Sequence, residues 1–207
     1  MSSSGGSQPA GGIAPRGLPA GASLVEVIIA LSLVATTAAM SAPALASSVD
    51  AGRARQAAQY LVAQCRRARM DAVARSAATA LVFDRVGAVW QMRRCTDGNG
   101  NGVRRADISS GRYACDVVPV RLSDAFSGVA IALDPALPDP DGGAGSADAV
   151  RFGASDVASF SPAGTATAGT VYLRSAGGAQ YAVRIAGVTG RARILYFEPA
   201  RRQWVEV

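Results

Sequence analysis

The chain is 207 residues long, enough for one compact domain and an extension, and its 21 basic and 15 acidic residues give a formal charge of +6. Every basic residue is Arg and there is no His, which removes a Ser-His-Asp triad, a His-Glu-x-x-His zinc site and any imidazole acid or base from this chain. Apolar residues make up 49% but aromatic ones only 6%, so the core is expected to rest on small and β-branched side chains, while the dispersed charge suits solubility as well as a polyanionic partner.

Residues 1–21 are rich in Ser, Gly and Pro, with Arg16 as their one charge and no apolar period, and are expected to be a disordered leader. From Leu24 to Ala46 the chain is apolar or small except for Glu26 and a few hydroxyl residues. About 20 helical residues cross a hydrocarbon core of roughly 30 Å, so residues 22–46 are the one candidate membrane span, with Leu, Ile and Val concentrated in its first half. The pattern then turns amphipathic over 47–78: Ala54, Ala58, Leu61, Val62, Cys65, Ala68 and Ala72 recur at three- and four-residue steps, opposite Arg53, Arg55, Gln59, Arg66, Arg67 and Asp71. One long helix is implied, kinked at Pro43.

Beyond Ser76, over 79–207, short apolar or alternating runs take over: 80–83, 88–92, 117–122, 129–133, 150–152, 170–173, 181–185 and 193–197, punctuated by Gly, Pro and Asp. The expected fold is α+β, a long N-terminal helix with a membrane-spanning first half, packed on an antiparallel β-sheet domain. Residues 135–147 read as a mobile loop.

Three cysteines, Cys65, Cys95 and Cys115, lack the Cys-x-x-Cys spacing of zinc or redox motifs and fit one disulfide with a leftover thiol. In the run from Asp97 to Gly102, Asp97, Asn99 and Asn101 place oxygen ligands at alternate positions, and Asp107 follows. That spacing suggests a calcium loop, but Ile108 stands where an EF-hand carries its bidentate Glu, and Asn-Gly pairs also make plain turns.

Gly21-Ala22-Ser23-Leu24-Val25-Glu26 ahead of the apolar helix is the most informative segment. Gly21 offers a protease a residue without a side chain, and cleavage after it would free the amine of Ala22. Glu26 is a carboxylate inside a candidate membrane segment, costing about 2.5 to 3.5 kcal/mol on insertion scales, so it calls for a partner. The bland alternative is a secretory signal peptide cut at Ala44-Leu45-Ala46.

These residues closely resemble the type IV prepilin family, which includes the pseudopilins of type II secretion. The resemblance implies cleavage after Gly21 by a membrane prepilin peptidase, N-methylation of Ala22, and a role for Glu26 in guiding subunits into a filament. The segments Val150-Arg151-Phe152, Phe160-Ser161-Pro162-Ala163-Gly164, Gly169-Thr170-Val171-Tyr172-Leu173 and Gly190-Arg191-Ala192-Arg193 are similar to the GspH/FimT branch of minor pseudopilins. On that resemblance the chain is expected to be no enzyme and to need no cofactor. It would be a single-pass inner-membrane subunit with its C-terminal domain in the periplasm, assembling with other pilins or pseudopilins in the type II secretion pseudopilus. The alternative is a FimT-type minor pilin of a type IV pilus, in which Arg191 and Arg193 bind DNA for uptake. An oxidising periplasm, with Cys65 on the core-facing side of the helix, leaves Cys95 and Cys115 as the expected disulfide.

Overall fold

The computed structural model describes residues 23–111, 113–142 and 147–207, apart from the side chains of 40–44. The chain divides into two units, Met1–Pro43 and Ala44–Val207. Helix α1, Leu24–Arg75, begins in the first unit and ends in the second. Pro43, where a kink is expected, is helical, and its side chain lies outside the described residues.

In the second unit α1 obeys its sequence period closely. Ala54, Ala57, Ala58, Leu61, Val62, Cys65, Ala68 and Ala72 are all buried, because steps of three and four residues return to one side of a helix with 3.6 residues per turn. Alanine at most of these positions brings the helix axis close to the sheets. The helix ends at Arg75, where Ser76 takes a left-handed φ of 50° and the amide of Ala77 bonds the carbonyl of Ala72 at 3.3 Å.

Strands β1 (Thr79–Val86) and β2 (Val89–Thr96) form a hairpin, turned by Gly87 at a φ of 63°. A short helix α2 (Arg105–Ser109) then leads to β3 (Ala114–Cys115). Helix α3 (Leu122–Ala125), β4 (Val129–Ile131), β5 (Val150–Arg151), β6 (Val157–Phe160), β7 (Gly169–Ser175), β8 (Gln180–Ile185), β9 (Ala192–Glu198) and β10 (Gln203–Glu206) complete the order. Two antiparallel sheets result rather than one: β3-β2-β1-β6, and β10-β9-β8-β7-β4 with β5 also paired to β7. The main core joins α1 to Leu81, Phe83, Met92 and Phe160 of the first sheet and to Val171, Leu173, Val183 and Ile185 of the second. The fold is α+β, with the helix packed on antiparallel sheets.

Both sheets are also covered on their outer faces. Val103 and Tyr113, flanking α2, pack with Ala80, Val82 and Val157 on the first sheet. On the second, Trp204 stands edge-on to Tyr172 and Phe197 and donates from Nε1 to the carbonyl of Pro138 at 2.8 Å.

One expectation needs correction. Residues 117–122 do not form a strand: Val117 is 96% and Val118 74% exposed, Val120 alone bridges to Met92, and Leu122 opens α3. Pro119 has no amide to give a ladder, and adjacent valines cannot both face a core. The segment around Pro135 is a loop, as expected, and makes ion pairs with the second sheet. Residues 143–146 lie outside the described ones, but Asp134, Asp139 and Asp141 pair with Arg174, Arg151 and Arg184. Arg174 of β7 and Arg184 of β8 are far away in sequence, so the loop's own composition gives no sign of them, whereas Arg151 of β5 follows Asp139 by only 12 residues.

Burial pushes the Cys65 thiol up to about 12. Since the thiolate is the nucleophile, iodoacetamide at pH 8 is expected to leave Cys65 unmodified in the folded chain and to label it once urea is added. Intact mass reads the result, and labelling of the folded chain at the rate of a free thiol would show that the helix face is open.

Candidate assembly and binding surfaces

In the first unit, α1 begins with the carbonyl of Ser23 accepting the amide of Val27 at 3.1 Å, and Glu26 lies in the first turn. Leu24, Val25, Ile28, Ile29, Leu31, Leu33 and Val34 are exposed on all sides of the helix. Ser32, Thr36 and Thr37 turn their hydroxyls back onto carbonyls three and four residues earlier, at 2.7 to 3.0 Å. The segment therefore offers apolar surface with its hydroxyls satisfied inside the helix, and Glu26 is its single charge. No helix among the described residues is long and apolar enough to cross a membrane. Gly21 and Ala22, the expected cleavage and methylation positions, lie outside the described residues.

Ser23-Leu24-Val25-Glu26 also has the Ser-x-x-Glu spacing of a capping box. A carboxylate at that spacing is suited to a local use at the helix start, and a test of any intermolecular role for Glu26 has to be separated from it.

In the second unit, the C-terminal end of α1 and the turn before β9 enclose a groove of about 620 Å³ lined by Arg66, Arg69, Met70, Val73, Gly190 and Arg191 among others. Arg69 fixes it. Its Nε donates to the carbonyl of Gly164 at 3.2 Å, and it lies in a slot between Gly164 (φ +82°) and Gly190 (φ +60°). A Cβ at Gly190 would fall 2.6 Å from the Gly164 carbonyl oxygen, so the left-handed conformation and the close approach both require glycine. Arg191 lines the groove. Arg193 instead bonds Glu206 of β10 at 3.1 Å, with both side chains more than half exposed. Such a surface pair is weak and easily exchanged for another anion.

Cys95 and Cys115 form a disulfide at paired positions of β2 and β3. Inside the loop that they close, Asp97 accepts the amides of Asn99 and Gly100 on Oδ1 at 2.9 and 3.1 Å and that of Gly102 on Oδ2 at 2.7 Å. Asn101 and Asp107 meet the Tyr113 hydroxyl, each at 2.8 Å. The four candidate calcium ligands are thus drawn into one loop, but their oxygens serve its backbone and Tyr113. Among the described residues no group of three or more Asp, Glu, His or Cys side chains is placed to hold a metal ion.

Sequence reasoning missed the Arg69 slot altogether, because its members are scattered along the chain. The local traces were its two glycines, Gly164 and Gly190, each at the edge of a segment singled out above for another reason. Comparison with family models, with curated proteins and with solved structures returns no match.

Proposed function

We propose that this chain is a minor pilin-like subunit, a pseudopilin of the type II secretion kind, which is anchored in the inner membrane by the start of α1 and works by assembly rather than catalysis. One observation carries this reading: an apolar helix exposed on every side, its hydroxyls bonded internally, with a single carboxylate one turn from its start. In water such a surface is unfavourable, at about 25 cal/mol for each Å² of apolar area left uncovered. Lipid, and later the helices of neighbouring subunits, would cover it. The periplasmic placement of Ala44–Val207 follows from the same reading and gives its disulfide an oxidising compartment.

The reading requires cleavage after Gly21. Protein extracted from membranes is expected to have the intact mass of a chain starting at an N-methylated Ala22. A start at Ser47 would identify a conventional signal peptide and overturn the proposal.

Arg191, exposed and without a carboxylate partner among the described residues, favours a second reading, a type IV pilus subunit that binds DNA. Its binding would fall steeply as salt rises, since each phosphate contact releases a counterion. No binding at low ionic strength would remove that reading.

A further inference from the structure

We propose that the groove beside Arg69 receives the Asp116–Pro119 tip of a second copy of this chain. The inference rests on the reading of the chain as an assembling subunit, to which it adds a partner and an interface.

The tip has the form of a pre-organised apolar plug. Val117 and Val118 are 96% and 74% exposed, but the backbone on either side of them is pinned. Cys115 is bonded to Cys95, the Asp116 amide donates to the Arg94 carbonyl at 2.8 Å, and Val120 exchanges both backbone bonds with Met92 at 2.7 and 2.8 Å. Pro119 restricts the remaining freedom. Little entropy is left to lose on docking, the condition under which a small contact binds well.

The groove complements it. Met70 and Val73, 70% and 53% exposed, supply apolar surface. Arg66, Arg69 and Arg191 line the same groove and have no carboxylate within ion-pair distance among the described residues. Asp116 brings a half-exposed carboxylate next to the two valines, held on one side by Arg94 at 3.3 Å.

Tip and groove lie on opposite flanks of α1, so one copy cannot satisfy itself. Asp71, which reaches Arg94 at 3.6 Å, and Val73 fall on either side of buried Ala72, about 100° apart from it in each direction. A contact from one flank to the opposite flank of the next copy is head-to-tail, and its repetition gives a ring or an open chain of subunits rather than a two-fold dimer.

The test places a photo-cross-linking phenylalanine at Val73 of the full chain in its native membranes, with a second preparation carrying it at Leu31 in the apolar helix. The expected product at Val73 is a covalent pair of chains whose linked peptide contains Asp116–Pro119. Val117→Arg, at a fully exposed position, should lower its yield roughly tenfold by setting a fourth cation among three. The proposal is overturned if the Val73 adduct maps elsewhere, contains another protein or nucleic acid, or is indifferent to Val117→Arg. If Leu31 captures neighbours and Val73 does not, docking alone fails. If neither does, the assembly reading fails with it.

Discussion

Glu26→Ala is expected to leave membrane insertion and leader cleavage unchanged while nearly abolishing incorporation into a filament. Insertion and cleavage act on the lone chain, in which the carboxylate is only a cost. In the proposed assembly the free amine of Ala22 on one subunit meets Glu26 on its neighbour, in surroundings where an opposite charge attracts strongly. Removing one member of such a pair leaves the other uncompensated, a loss of about 3 kcal/mol or more. That corresponds to roughly a hundredfold in the docking equilibrium. The apolar stretch from Val27 to Val34 would survive the substitution, but it specifies register poorly, because aliphatic surfaces can slide past one another. The capping-box spacing supplies the control: Gln at this position keeps the cap's hydrogen-bonding capacity and loses the charge. Glu26→Gln should therefore fail as Glu26→Ala does. The readout is cross-linking to neighbouring subunits, with the N-terminal mass checked on the same sample. Wild-type cross-linking by Glu26→Gln would reduce Glu26 to a helix cap and remove the assembly mechanism.

What the sequence made legible follows from the range over which each feature is encoded. The inward face of α1 was predicted at Ala54, Ala58, Leu61, Val62, Cys65, Ala68 and Ala72, and all seven are buried, because a helix writes its burial into a local period. β7, β8 and β9 were similarly clear as apolar runs between turn residues. β6 is weakly marked because Ser159 interrupts the apolar run Val157–Phe160, which sits among Ser, Asp and Gly. β10 had a usable signal, the alternation in Gln203–Glu206 after a turn, which went unread. The second sheet, the outer-face layers and the glycine slot around Arg69 depend on residues far apart in sequence, and no local pattern announces them. The same limit applied to the candidate site. Glu26 and the cysteine pair stood out by chemical contrast with their surroundings, whereas the groove is made of ordinary residues whose significance is their position.

Removing the disulfide, by Cys95→Ala with Cys115→Ala, is expected to lower stability by about 3 kcal/mol in the chain-entropy model for a loop of this size; the bonded cysteines are 20 residues apart. For a unit of this length that is roughly 6 to 12 °C in Tm. The loop is no passive link, because it carries the layer that covers the first sheet: Val103 and Tyr113 lie over Ala80, Val82 and Val157. Cys95 itself is fully buried, so the alanine there also loses contacts. Opposing the loss are tethers that do not depend on sulfur. Arg105 bonds Asp84 at 2.7 Å and the carbonyls of Phe83 and Ser155, while Tyr113 holds the Asp107 end of the loop. Arg105 and Asp84 are partly exposed, and a pair of that kind is worth little on its own, so the entropic term should dominate. Thermal unfolding of the full chain, with Arg105→Ala measured alongside, separates the two. A shift below about 2 °C for the cysteine variant, together with a larger one for Arg105→Ala, would mean that the arginine and not the disulfide holds this layer on the sheet.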